Sequence, residues 1–315
     1  MNYLALRERP TQFSALTSLH LAEFDDLLTA FSPFWERYHR YHALDGDRRK
    51  FPVHQERANA TLAGTDTKLF FSLTYLKNNS LQQHQAASFG VSQTRVSRLA
   101  GPLLHVLTQT LAARHLLPVR DGAQLAQRLA DHPDKVFTYD GVERGIPRNV
   151  DREGQKEEYS AKKRHGLPNN TLCDDTQYLH YLSPTESGRI HDKKVADDYP
   201  RHLPPGSVLH QDLGFLGHRP PGVLVEMPHK KPPKGKLTFS QLLYNQMLRP
   251  LRVVIEHVYS GIKRLCMVRD KVRVRGDLFR DTVMVVACGL HNLRVRSPHR
   301  ACLAHARAEL DNSSA

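Results

Sequence analysis

In the run RPLRVVIEHVYSGIKRL one acid, Glu256, stands between two bases, Arg252 and Lys263, in an otherwise apolar stretch. At about 100° per residue, offsets of four and eleven residues put all three side chains on one stripe of a helix. A carboxylate on that stripe can hold a metal ion while the cations hold phosphates. An amphipathic helix with a chance i,i+4 Arg/Glu pair explains the segment as well when it is taken alone. Two further acids change its meaning. Asp140 ends the apolar-aromatic run VFTYD and is followed by Gly141, and Asp212 ends SVLHQD and is followed by LGF. Each by itself fits a turn or a cap. Two neighbouring strand ends and a helix crossing their sheet, however, can bring Asp140, Asp212 and Glu256 to one divalent metal pair. Hard oxygen ligands suit Mg²⁺ or Mn²⁺ and phosphate oxygens, so the chemistry indicated is phosphodiester cleavage or transfer.

The elements that would position these acids follow from the apolar periodicity. Helical spacing marks residues 16–31 and 67–76. Residues 80–104, SLQQHQAASFGVSQTRVSRLAGPLL, read as helix, tight turn, helix. Ser80 and Ser92 are placed to cap the two helices, and Gly90 supplies the permissive turn backbone. Ala86 and Val96 stand where a helix-turn-helix needs a small residue and an apolar one. The second helix would present Gln93, Thr94, Arg95, Ser97 and Arg98 to base edges and phosphates. No acid lies between Asp66 and Asp121 in the chain to oppose them. A plain helical hairpin is the simpler alternative. After residue 135 the pattern turns β-rich, with short runs at 136–144, 169–183 and 207–217, followed by a Pro- and Lys-rich stretch, 219–236, that reads as an exposed basic connector. A largely helical tail ends the pattern.

Composition bounds the partner. The 315 residues carry a net charge of +13 with a pI near 9.7, which favours nucleic acid or an anionic surface. From Lys230 to Arg280 there are 13 Lys and Arg against three acids, a density suited to DNA phosphates. The four cysteines form no CxxC pair, which argues against a zinc ribbon or a disulfide framework. The amino terminus lacks the apolar core of a signal peptide, and no apolar run is long enough to span a bilayer. The expectation is a soluble, cytoplasmic, nucleoid-associated protein with no membrane partner. His39 and His42 in ERYHRYH have no acid or cysteine motif nearby to make them a metal pair.

Taken in order, these motifs resemble the DDE transposases of bacterial insertion sequences, in particular the Harbinger-like DDE superfamily endonuclease group. The resemblance runs through DGVERGIPR, Gln155, YSAKKRH, SPTESGRIHDKK, HQDLGF, the Arg252, Glu256, Lys263 signature and the LHNL near the carboxyl terminus, with the helix-turn-helix upstream. It covers roughly residues 65–295. It implies an α/β fold in which an RNase H-like catalytic domain, a mixed sheet flanked by helices, follows an all-α DNA-binding region. The implied boundaries are residues 1–66 for an N-terminal helical region, 67–118 for the helix-turn-helix domain, 119–134 for a linker, 135–300 for the catalytic domain and 301–315 for a flexible tail.

On this resemblance Asp140, Asp212 and Glu256 are metal ligands and catalytic acids. Asp192 is an auxiliary acid that opens the helix after the third strand. A competing assignment makes Asp192 the second catalytic acid; Asp212 is preferred because the end of the fourth strand lies beside the first in this topology. Lys163, His165, Arg252 and Lys263 would position phosphates. The chain departs from the family's usual pattern at Val142, at Ala161 and in the basic proline-rich segment before Glu256. The resemblance further implies a Mg²⁺ or Mn²⁺ cofactor, partners in double-stranded DNA (element terminal inverted repeats and target DNA), and a homo-oligomer assembled on that DNA. Two other functions use the same features: a non-catalytic helix-turn-helix regulator or transposase relic, and a nuclease that cuts without strand transfer.

Overall fold

The computed structural model describes residues 1–54, 56, 61–130, 135–160, 165–199, 202–274 and 276–298. The expected phosphate ligand Lys163, Cys302 and the 301–315 tail lie outside the described residues. Packing divides the chain into two units. One is formed by Met1–Leu117 with Lys263–Asp270 and the residues from Val274 on, and the other by Pro118–Ile262 with Lys271–Arg273.

The first unit is helical. Its elements are α1 (Tyr3–Arg7), α2 (Pro10–Thr17), α3 (Leu21–Tyr41), α4 (Thr65–Asn78), α5 (Gln82–Phe89) and α6 (Gln93–Ala113). Phe13, Phe24 and Phe70 pack ring to ring, with centroids 5.1 Å apart for Phe13–Phe24 and 5.6 Å for Phe13–Phe70. Helix α4 is buried from Lys68 to Leu76. Lys68 is sustained there because its ammonium donates to Glu56 Oε2 (2.8 Å) and the Leu62 carbonyl (2.6 Å) while lying over the Trp35 ring. His39 and His42 stack on Trp35 and Tyr38, so the ERYHRYH pattern is aromatic packing.

The second unit holds the sheet. Its elements in chain order are α7 (Gly122–Leu129), β1 (Val136–Gly145), α8 (Arg152–Glu158), β2 (Gly166–Asp174), β3 (Leu179–Leu182), α9 (Asp192–Asp198), β4 (Val208–Gln211), β5 (Leu224–Glu226), α10 (Phe239–Met247) and α11 (Arg249–Ile262). The strand order is β3-β2-β1-β4-β5, with β1 antiparallel to β2, β2 antiparallel to β3, and β1, β4 and β5 mutually parallel. This is the mixed sheet flanked by helices expected of an RNase H-like domain. One face of the sheet carries Phe137, Tyr139, Leu172 and Leu209 into a core closed by Leu125 and Leu129 of α7, Ala196 of α9 and Phe215. Strand alternation turns Thr138, Asp140 and His210 to the other face, where Tyr259 of α11 meets Thr171 of β2, oxygen to oxygen, at 2.9 Å.

Three sequence expectations change here. The stretch 219–236 is not wholly a connector, because VLVE within it supplies β5, pairing Val208 with Leu224 and His210 with Glu226. The two final helices, α12 (Cys266–Arg269) and α13 (Asp277–Arg296), belong to the helical unit rather than to the sheet unit. Helix α13 buries Val283, Val286, Ala287 and Leu290, and Asn292 Nδ2 donates to the Leu116 carbonyl at 2.9 Å. An expected domain spanning 135–300 is therefore contiguous in sequence but not in packing. Finally, Asp140 is not at a strand end: β1 runs on to Gly145 while the parallel ladder with β4 stops at Tyr139.

Candidate functional site

The parallel ladder of β1 and β4 ends with Tyr139 opposite Gln211. The next residue on each chain is an aspartate, so Asp140 and Asp212 leave the ladder side by side. Asp140 Oδ1 accepts from the Gly141 amide at 2.7 Å. Asp212 Oδ1 accepts from the Gly214 amide at 2.7 Å and caps a 3₁₀ turn over Leu213–Phe215. These local bonds hold each carboxylate at the point where the β1/β4 ladder ends. Both line one cleft open to solvent, whose walls also include Thr138, His210, Glu226, Arg252 and Ile255.

Helix α11 supplies the wall opposite the sheet. Arg252 and Ile255 reach the cleft, and Tyr259 reaches Thr171, whose hydroxyl in turn lies 3.3 Å from the Asp140 carbonyl oxygen and donates to it. Burial, with Asp140 nearby, pushes the Tyr259 hydroxyl well above its usual range, so it stays protonated and acts only through hydrogen bonds. Glu256 lies on α11 one turn after Arg252 and just before Tyr259, exposed, but it is not among the cleft walls. Lys263 follows the last residue of α11 and belongs to the helical unit, so the expected single stripe stops before it. Gly261 in the final turn weakens the helix at that point.

Asp192 lies elsewhere. It is the first residue of α9, its backbone carbonyl accepts from Asn170 Nδ2 at 2.7 Å, and its carboxylate packs against the α-carbon of Gly141. Gly141 and Asn170 are register partners on the α7/α9 face, opposite to the face that carries Asp140. The structure thus groups Asp212, not Asp192, with Asp140 in the cleft. His165 pairs with Tyr159 through an isolated bridge and a ring contact of 5.5 Å; it is not a cleft wall.

Sequence reasoning missed Glu226 and His210. On the parallel registers Thr138, His210 and Glu226 form one cross-strand row, two residues behind Asp140 and Asp212. His210 Nδ1 lies 3.2 Å from Glu226 Oε2. Burial lowers the His210 pKa, against the opposing pull of Glu226. The available signal was the shape of VLVE, an apolar run closed by an acid like VFTYD and SVLHQD.

Among the described residues no group of three His, Cys, Asp or Glu side chains is gathered closely enough to hold a metal. The donor set of the cleft nevertheless suits a hard divalent cation. Mg²⁺ is commonly held by one or two carboxylates, with water and substrate phosphate filling the remaining positions, and Asp140 and Asp212 provide the two.

In the helical unit, Gly90 closes α5 with φ +64°, and the Val91 amide donates to the Ala86 carbonyl at 3.0 Å. Ser92 caps α6, accepting from the Arg95 amide at 3.2 Å. Ser80 does not cap α5, whose N-cap is Leu81 without a side-chain bond, because the helix begins at Gln82. Val96 and Leu99 turn inward, leaving Gln93, Thr94, Arg95, Ser97 and Arg98 exposed on one face of the amino-terminal turns of α6. One acid does approach them in space: Asp45 lies 3.8 Å from Arg98. Both groups are more than half exposed, so this pair contributes little.

Residues 139–292 match the family described as DDE superfamily endonuclease, and residues 62–113 match that described as helix-turn-helix of DDE superfamily endonuclease. Comparison with curated proteins and with solved structures found no match. No helix among the described residues is long and apolar enough to cross a membrane.

Proposed function

Because the chain belongs to the DDE superfamily of transposase-like endonucleases, with that superfamily's helix-turn-helix ahead of the endonuclease region, we propose that it is the transposase of an insertion sequence. It recognises the terminal inverted repeats of its element through α6, cuts there by hydrolysis that frees a 3′-hydroxyl, and joins that hydroxyl to target DNA as a homo-oligomer assembled on the ends. The observation that carries this reading is the adjacency of Asp140 and Asp212 in a cleft that also contains Arg252.

Asp140 and Asp212 would hold a divalent cation, Mg²⁺ or Mn²⁺, which when bound supplies the Lewis acidity for activating the attacking oxygen and stabilising the leaving one. Arg252 neutralises a phosphate at the cleft mouth, which a guanidinium does without transferring a proton. Glu256 completes the acid set from one turn further along α11. Asp192 acts as the auxiliary acid from behind Gly141. Lys163, His165 and Lys263 grip phosphates further along the DNA. Thr171 and Tyr259 fix the β1 backbone at Asp140, so the carboxylate meets the cation without reorganisation.

A regulator that binds DNA without cutting it is the second reading, favoured by the position of Glu256 outside the cleft walls. One experiment separates the two. Element-end DNA is incubated with Mg²⁺ and wild-type protein or the Asp140→Asn, Asp192→Asn, Asp212→Asn and Glu256→Gln variants. Wild type should nick, and loss of Asp140, Asp212 or Glu256 should slow nicking at least about a hundredfold, since a lost ligand removes several kcal/mol of charge stabilisation. Binding without nicking by the wild type would leave the regulator. Nicking that survives Asp212→Asn and disappears in Asp192→Asn would reverse their roles.

A further inference from the structure

The cleft contains a third acid, Glu226, that the catalytic set does not use. Strand β5 is three residues long and pairs in register with β4, which sets Glu226 beside His210 and His210 beside Thr138. Two residues separate His210 from Asp212 and Thr138 from Asp140, about 7 Å along each strand. All five residues line the same cleft. The Glu226 side chain is 30% exposed and that of His210 only 9%, so the carboxylate forms a partly shielded wall of the cleft. On one side its Oε2 lies 3.2 Å from His210 Nδ1. The same cleft holds the carboxylates of Asp140 and Asp212, and Arg252 is the cationic residue of its wall.

We propose that Glu226 is a positioning residue of the cation site: its carboxylate holds water-mediated contact with a divalent ion carried by Asp140 and Asp212 and adds a third negative charge to their two. The inference rests on the cation reading above and extends it to a residue on the edge strand. Outer-shell carboxylates raise metal affinity by orienting bound water and by charge, and a charge at this range in a partly shielded cleft is screened far less than one on an open surface.

The test is Mn²⁺ binding to the full-length, DNA-free protein, followed by calorimetry and by the electron paramagnetic resonance of free Mn²⁺, with urea unfolding in the absence of metal as the control for folding. Glu226→Gln keeps the shape and removes the charge, whereas Glu226→Asp keeps the charge and shortens the reach. If charge is what Glu226 supplies, the Gln variant binds Mn²⁺ about tenfold more weakly and the Asp variant stays within about threefold of wild type. A purely structural carboxylate gives the reverse order, with Gln close to wild type and Asp impaired, and that result overturns the proposal. Equal affinity in all three proteins overturns it as well while leaving the Asp140/Asp212 reading intact. A wild type that binds no Mn²⁺, or an Asp140→Asn variant that binds it as tightly as the wild type, removes the cation reading and this inference with it.

Discussion

At the scale of single residues, Asp212 and Asp192 differ in which face of β1 each carboxylate meets. Asp212 shares the cleft with Asp140, whereas Asp192 presses on Gly141 from the side that carries the Tyr139 core. A methyl group at position 141 would lie 2.6 Å from Asp192 Cγ and 2.5 Å from its Oδ1. Something must shift, and the movable partner is the Asp192 carboxylate. Gly141→Ala is therefore expected to lower stability by about 1–3 kcal/mol through overpacking and, if Asp192 is an auxiliary acid, to reduce nicking toward the level of Asp192→Asn while DNA affinity is unchanged. Thermal melting and a nicking time course on the same preparations check both parts. An alanine variant that melts and cuts as the wild type does would show that the Asp192 contact has no role at the site.

At the scale of elements, the parts legible in the sequence are those whose chemistry is local. Gly90 and Ser92 announce the turn and the start of α6 because a left-handed backbone and an N-cap each require particular residue types. The apolar runs ending in Asp140 and Asp212 announce two strands for the same kind of reason. Strand β5 stayed hidden because three residues among prolines carry no periodicity, and only pairing with β4 gives them meaning. The placement of α13 was equally illegible, since its apolar residues state that it is buried but not against what. Ser80 failed as a cap by one position, the usual error at a helix boundary. Gly90 offers a clean measurement of the local part. A Cβ there meets nothing within 4 Å, and φ is +64°, so Gly90→Ala introduces backbone strain without a collision. The expected loss is about 1–2 kcal/mol, read by urea unfolding. The turn would hold, but α6 would be less firmly aimed, and affinity for element-end DNA should fall with it. An alanine variant as stable as the wild type would show that the turn relaxes out of the left-handed conformation.

At the scale of the whole molecule, the +13 net charge and the exposed face of α6 make DNA affinity an electrostatic quantity separable from cutting. Each phosphate neutralised by a cation contributes about −0.9 to the slope of log affinity against log salt. Arg95 and Arg98 are exposed on the amino-terminal turns of α6. Replacing either by alanine should weaken binding at low salt and reduce the magnitude of the slope by about one if that residue meets a phosphate. If it reads a base edge instead, the slope is unchanged and discrimination between element ends and unrelated DNA falls by about 1–3 kcal/mol. Fluorescence anisotropy at several salt concentrations, with specific and scrambled duplexes, distinguishes these outcomes for each residue. Asp140→Asn should leave both slope and discrimination at their wild-type values in metal-free buffer, because on the proposed reading the carboxylates act on the cation and not on recognition. Variants of both arginines that match the wild type at every salt concentration and on both duplexes would place the DNA-binding surface away from α6. The basic segment between Lys230 and Arg280 would then be the first alternative, with 13 cations against three acids.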